Sequence, residues 1–209
     1  MIKAVIFDMD GVLIEAKDWH YEALNKALNL FGFNISRFDH LTKFDGLPTK
    51  DKLNILTTEY SLPIELHSFI NEMKQNYTME IVHTKCKPLF IHEYALSKLK
   101  MEGYKLAVAS NSIKNTIITM MEKAALLNYL EIMLSNEDVV KGKPDPEIYT
   151  KTINLLGLTP EECVVVEDNE NGIRAAKAAG AHVLIVNEVT DVIYRNIRQF
   201  IDSVEEKKA

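Results

Sequence analysis

Apolar residues fall along this chain in two rhythms. Short unbroken runs occur at 3 to 7 ("KAVIF"), 104 to 110 ("YKLAVAS"), 131 to 135 ("EIMLS"), 163 to 167 ("CVVVE") and 182 to 186 ("HVLIV"). They do not alternate with polar positions, which predicts strands covered on both faces. Helical patterns separate them, and strands alternating with helices predict a parallel sheet in a layered α/β domain. Ser112 is placed to cap a helix carrying Ile113, Ile117 and Met121. Asp145 with Pro146 marks the start of a helix running through Leu156. An alanine-rich helix with Ala175, Ala176, Ala178 and Ala179 is expected to stop at Gly180 in a left-handed C-cap.

Residues 15 to 81 keep the other rhythm. They hold no strand-like run, but three amphipathic patterns: Trp19, Ala23, Leu24, Ala27, Leu28 and Phe31; Leu53, Leu56 and Tyr60; Leu66, Phe69, Ile70, Met73 and Tyr77. Segments 1–14 and 82–209 therefore form the expected sheet-bearing core, and 15–81 a helical insertion whose aromatic residues pack inside it. The closing "VEEKKA" is expected to fray as a polar tail.

Composition narrows the class. With 47% hydrophobic and 26% charged residues, the 209-residue chain reads as a soluble globular protein. A net charge of −6 supplies no field for DNA or RNA, so nucleic acid is not an expected partner. No apolar stretch nears the roughly 20 residues that cross a bilayer, and the first residues enter a strand without a signal-peptide pattern. Two cysteines, Cys86 and Cys163, make no disulfide framework, and the expected location is the cytoplasm.

In an open parallel sheet, ligands bind beyond the carboxyl ends of the strands. The first strand ends in Asp8, Met9, Asp10 and Gly11, the second in Ser110, Asn111 and Ser112, the fourth in Glu167, Asp168 and Asn169. Lys143 precedes Pro144, which biases it to an extended backbone. Taken singly, a strand-end aspartate is a turn former, a serine before a helix is a cap, and such a lysine is solvated. If the first, second and fourth strands are neighbours, four acids converge on one crevice. That charge calls for a cation, and oxygen-only ligands point to Mg2+. Ser110 and Asn111 before a helix start, with Lys143, suit an anion.

Four ordered segments then carry a resemblance: "DMDGVL" at 8 to 13, "SNS" at 110 to 112, "KGKPDPEIY" at 141 to 149 and "VEDNENG" at 166 to 172. Over nearly its whole length the chain resembles the haloacid dehalogenase superfamily, in the branch with a helical cap after the first strand. The resemblance implies a Rossmann-like core with helices on both faces and an inserted α-helical cap. It implies that Asp8 attacks phosphorus to form an aspartyl phosphate, and that Asp10 protonates the leaving oxygen and later activates water. Asp8, the Asp10 carbonyl and Asp168 would hold Mg2+, with Glu167 in direct or water-mediated support. Ser110, Asn111 and Lys143 would bind the phosphoryl oxygens. Asn169 stands where the family often has serine and is given no catalytic role.

Asp10 narrows the chemistry to phosphatases and phosphomutases, because the dehalogenases and phosphonate-cleaving members lack an aspartate there. In the β-phosphoglucomutase-like mutases that the chain resembles around Gly46, basic residues stand at the positions of Asp45 and Thr49 to hold a second phosphate. Segment 15–81 carries ten acidic and seven basic residues, so repulsion of a second dianion favours a phosphatase. Lys50 can partly replace the missing charge, which keeps the mutase as the alternative. Asp45 is either a turn residue before Gly46 or a partner for an ammonium or hydroxyl group on the substrate, and His20 either reaches the site or is solvated or capping. The expected partner is a small phosphorylated metabolite such as a sugar, polyol or amino-alcohol phosphate. A cap closing over the site would exclude bulky esters and shield the phosphorylated aspartate. A monomer is expected, with a homodimer as the alternative. A binding protein that keeps the fold without turnover is the non-enzymatic alternative.

Overall fold

The computed structural model describes residues 1–44 and 46–207. In chain order these form β1 (Ala4–Phe7), α1 (Lys17–Asn29), α2 (Arg37–Asp39), α3 (Thr49–Tyr60), α4 (His67–Lys85), α5 (Phe90–Met101), β2 (Lys105–Ala109), α6 (Lys114–Lys123), β3 (Ile132–Leu134), α7 (Glu147–Leu155), β4 (Cys163–Glu167), α8 (Glu170–Ala178), β5 (His182–Ile185) and α9 (Tyr194–Glu206). They divide into two compact units: Met1–Glu15 with Lys87–Ala209, and Ala16–Cys86.

The first unit is a five-stranded sheet of order β3-β2-β1-β4-β5, parallel throughout. All five apolar runs become strands; the three central ones, β1, β2 and β4, are buried on both faces, while the edge strands β3 and β5 are only partly covered. One face of the sheet, with Ala4, Ile6, Ala107, Ala109 and Val165, packs against Ile148, Tyr149 and Ile153 of α7 and Ala175 and Ala176 of α8. The alternate residues Val5, Phe7, Leu106, Val108, Val164 and Val166 are buried as well, and α5 and α9 pack against one another and against β2 and β5 respectively. Each aliphatic side chain so buried contributes about 1.5 to 3 kcal/mol relative to exposure.

Strand order decides where the site falls. The chain leaves β1 for β2 on one side and later returns to β4 on the other, so the connections part at the carboxyl end of β1 and open a crevice there. Registers Phe7↔Val108 and Phe7↔Val166 bring the ends of β2 and β4 level with that of β1.

Two local expectations are corrected here. Residues 204–206 do not fray: α9 runs to Glu206, Ile197, Ile201 and Val204 are buried along one stripe, and Glu205 Oε1 accepts the Ile2 N–H at 2.7 Å, while Lys208 and Ala209 of the closing segment lie outside the described residues. Ser112 does not cap α6, whose N-cap is Ile113. The Lys114 N–H instead donates to Glu137 Oε2 at 2.6 Å, so this helix start is already supplied with a carboxylate from within the protein. Asp145 does serve the start of α7, its Oδ1 accepting the Glu147 N–H, and Gly180 follows α8 at φ +84°.

The second unit is helical. Leu24, Ala27 and Leu28 of α1 meet Phe44, Leu53 and Leu56, with Leu62 and Ile70 completing the interior. Asn25 fastens the turn after α1, donating to the Ile35 carbonyl and accepting the Ile35 N–H. The interior is mainly aliphatic. Phe31, Tyr60 and Phe69, expected inside, are 36%, 41% and 46% exposed, and Phe31 meets Phe69 edge to face at the margin.

Candidate active site

The carboxyl end of β1 is shaped by a tight loop. The carbonyl of Met9 accepts the N–H groups of Leu13 and Ile14, and the Gly11 N–H donates to the Ile14 carbonyl. Gly11 takes φ +90°, a conformation that a side chain would strain. This loop holds Asp8 buried and Asp10 beside it. His92 on α5 braces the loop from behind, its ring bonded to the carbonyls of Val189 and Leu13.

Lys143 enters from the loop before α7, where its peptide bond to Pro144 is cis. Asn111, at the end of β2, fixes its backbone: Asn111 Oδ1 accepts the Lys143 N–H at 3.0 Å, and Nδ2 donates to the Lys143 carbonyl at 3.4 Å. A Cβ on Gly142 would lie 2.8 Å from that Oδ1, so the loop approaches Asn111 closely only with glycine there. The buried ammonium then donates to Asp8 Oδ1 at 2.6 Å and to Glu167 Oε1 at 2.7 Å.

Glu167, at the end of β4, is 1% exposed. Its Oε1 also accepts the Tyr149 hydroxyl at 2.6 Å, while Oε2 accepts the N–H groups of Asp168 and Asn169 at 3.1 and 3.3 Å. Those four donors match the acceptor capacity of a carboxylate. Gly172 is required beside it, because a Cβ there would come within 1.7 Å of Oε1. Asn169 caps α8 by accepting the Asn171 N–H.

Ser112 Oγ donates to Asp10 Oδ2 at 3.0 Å and so orients that carboxyl. Ser110 Oγ accepts the Ser112 N–H at 3.1 Å, which leaves its own O–H to donate elsewhere.

Electrostatics follow from burial and crowding. Burial pushes the Asp8 carboxyl well above its ordinary value; the Lys143 ammonium opposes this, and the acids Glu167, Asp10 and Asp168 add to it. Burial alone would lower Lys143, but Asp8 and Glu167 reverse that and hold it charged. Burial, and then Glu167, raise the Tyr149 hydroxyl, which keeps its proton and remains a donor. One carboxylate oxygen from each of Asp8, Glu167 and Asp168 lies within 4.8 Å of the others. Oxygen donors gathered so closely, with acids whose mutual repulsion a divalent cation would relieve, fit Mg2+.

The structure thus brings Asp8, Asp10, Ser110, Asn111, Lys143, Glu167 and Asp168 to one end of one sheet. Ser112 and Tyr149 belong with them and were given no site role from the sequence. Both stand inside the quoted segments, so their nearness was legible and their partners were not. The remaining candidates lie in the helical unit. His20 Nδ1 is 3.4 Å from Lys74 Nζ, Gly46 takes φ +69° in a turn, and Lys50 is exposed in the first turn of α3. Asp45 lies outside the described residues.

Comparison with known proteins agrees with this geometry. The family described as haloacid dehalogenase-like hydrolase matches residues 5–186. A phosphorylated carbohydrates phosphatase from Thermotoga maritima is 32% identical over 86% of this chain and 82% of its own. A phosphoglycolate phosphatase from Aquifex aeolicus is 28% identical over 86% and 82%. The crystal structure of a β-phosphoglucomutase from Clostridium difficile superposes with a TM-score of 0.84, covering 97% of this chain and 98% of that one. At 23% identity the likeness speaks for the fold.

Proposed function

This chain belongs to the haloacid dehalogenase-like hydrolase family, and from that premise we propose that it is a Mg2+-dependent phosphatase of small phosphomonoesters. The observation that carries the proposal is the ammonium of Lys143 bridging Asp8 and Glu167 at the end of β1, with Asp10 oriented alongside by Ser112. In the reaction, a carboxylate oxygen of Asp8 bonds to phosphorus as the ester P–O bond breaks, and the leaving oxygen takes a proton from Asp10. Asp10 then takes a proton from water as the water oxygen bonds to phosphorus and the bond to Asp8 breaks, releasing phosphate. Lys143 and the Ser110 hydroxyl bind the phosphoryl oxygens, and Asn111 acts through the Lys143 backbone that it fixes.

Asp8, the Asp10 carbonyl and Asp168 would hold Mg2+, with Glu167 supporting through the lysine and backbone groups it binds. When bound, the ion supplies charge neutralisation that lets an anionic ester approach an acidic crevice. The substrate is assigned to small phosphorylated metabolites of the cytoplasm, and the choice among them to the helical unit. Relatives named phosphatases support hydrolysis, and the net acidity of segment 15–81 disfavours a second phosphate.

The test is phosphate release from sugar, polyol, glycolate, amino-alcohol and mononucleotide phosphates, with Mg2+ and with chelator, for wild type and Asp8→Asn. Mg2+-dependent release abolished by Asp8→Asn is the expected result. No release from any ester, with isomerisation of a sugar phosphate in the presence of a bisphosphate primer, would overturn it in favour of a mutase.

A further inference from the structure

Lys143 Nζ lies almost equally close to two carboxylate oxygens, 2.6 Å from Asp8 and 2.7 Å from Glu167. A lysine ammonium is a compact charge on a flexible stem, so Coulomb attraction alone does not choose between them. Whatever Glu167 lacks in other donors it will seek from the lysine. Its Oε2 is satisfied by two backbone N–H groups that no side-chain change removes, so the balance rests on Oε1. The one other donor to Oε1 among the described residues is the Tyr149 hydroxyl, at 2.6 Å. The same tyrosine sets its ring face 4.7 Å from the ammonium, a cation–π contact in a buried site. Tyr149 is itself fully buried in the core between α7 and the sheet, which fixes both contacts.

We propose that Tyr149 is a positioning residue that holds Lys143 between Asp8 and Glu167, its hydroxyl satisfying Glu167 so that the ammonium stays available at Asp8. The inference rests on the phosphatase reading for its effect on turnover. Without the hydroxyl, Glu167 Oε1 keeps Lys143 as its only side-chain donor among the described residues and draws the ammonium away from the reacting carboxylate. Tyr149→Phe preserves the ring, the volume and the cation–π contact, and isolates the hydroxyl.

The experiment measures kcat and KM with the best ester of the panel for wild type, Tyr149→Phe, Glu167→Gln and the double variant. Tyr149→Phe should lower kcat about tenfold and leave KM within about twofold. In the Glu167→Gln background the same change should cost less than about twofold, because the group it acts through is gone. An undiminished kcat, or an equal loss in both backgrounds, overturns the proposal. A second arm needs no turnover: NMR of metal-free protein with 15N-labelled lysine. Wild type should show a slowly exchanging side-chain ammonium signal that Lys143→Met deletes and Tyr149→Phe weakens by faster exchange. A signal unchanged in Tyr149→Phe overturns the positioning role. If wild type hydrolyses nothing, the phosphatase reading fails by itself and this arm still decides for or against Tyr149.

Discussion

Asp8 and Glu167 end neighbouring strands and share one ammonium, yet Glu167 accepts four hydrogen bonds where Asp8, among the described residues, accepts one. A carboxylate whose acceptor sites are all filled by protein donors is a structural anion: its charge is spent on holding Lys143, Tyr149 and the start of the β4 loop. A buried carboxylate with one donor and three acidic neighbours is costly to keep ionised. Under the proposed phosphatase reading, that cost is tolerated at the end of β1 because Asp8 is the group that reacts. Burial fraction does not separate the two residues; hydrogen-bond occupancy does.

The largest expected effect attacks the under-supplied side. Asp8→Asn should reduce phosphate release by at least about a thousandfold, while the chemical-denaturation midpoint stays near that of wild type, since one bond is lost and repulsion among the acids is relieved. The filled side should behave in the opposite sense. Gly172→Ala drives a methyl into Glu167 Oε1, and Glu167→Gln turns an amide toward donors; each should cost about 3 kcal/mol in urea unfolding. A stable Gly172→Ala protein would break the comparison.

Metal sharpens it further. Mg2+ at about 100 times its dissociation constant should stabilise wild type by about 2.7 kcal/mol in thermal unfolding, and chelator should remove the gain. Asp8→Asn and Asp168→Asn should abolish the gain. The smallest expected effect concerns the brace behind the β1 loop. Burial lowers the His92 pKa below its ordinary value of 6.5, although its bonds to the Val189 and Leu13 carbonyls oppose this. The unfolded chain therefore binds the proton first, and this contribution to stability, complete above about pH 6.5, is lost as pH falls through the folded-state value. Melting temperatures measured from pH 7 down to 5 should fall less steeply in His92→Gln than in wild type.

Much of the core was legible from the chain because its signals are local. Five unbroken apolar runs read as strands, the three central ones covered on both faces, and the polar residues directly after Phe7, Ala109 and Val166 then stand at strand ends. What was not legible depends on who meets whom. Ser112 looks like a cap and instead orients Asp10; Asn111, expected as an anion ligand, also holds the Lys143 backbone; Tyr149 looks like core and is also a hydrogen-bond donor to a buried acid. The last helix carried a readable stripe in Ile197, Ile201 and Val204, masked by the polar residues that follow. In the helical unit, spacing marked the helices but not their inward faces. There the aliphatic residues fill the interior, and Phe31, Tyr60 and Phe69 stay at its margin.

The measurement that bears most directly on the contrast between the two carboxylates is mass spectrometry of peptides from protein quenched in acid during turnover of the best ester. A phosphoryl group on Asp8, lost in Asp8→Asn and absent from Glu167, is the result predicted by an under-supplied nucleophile beside a saturated anchor. Turnover with no phosphoryl group on Asp8, or with one on another acid, would contradict it.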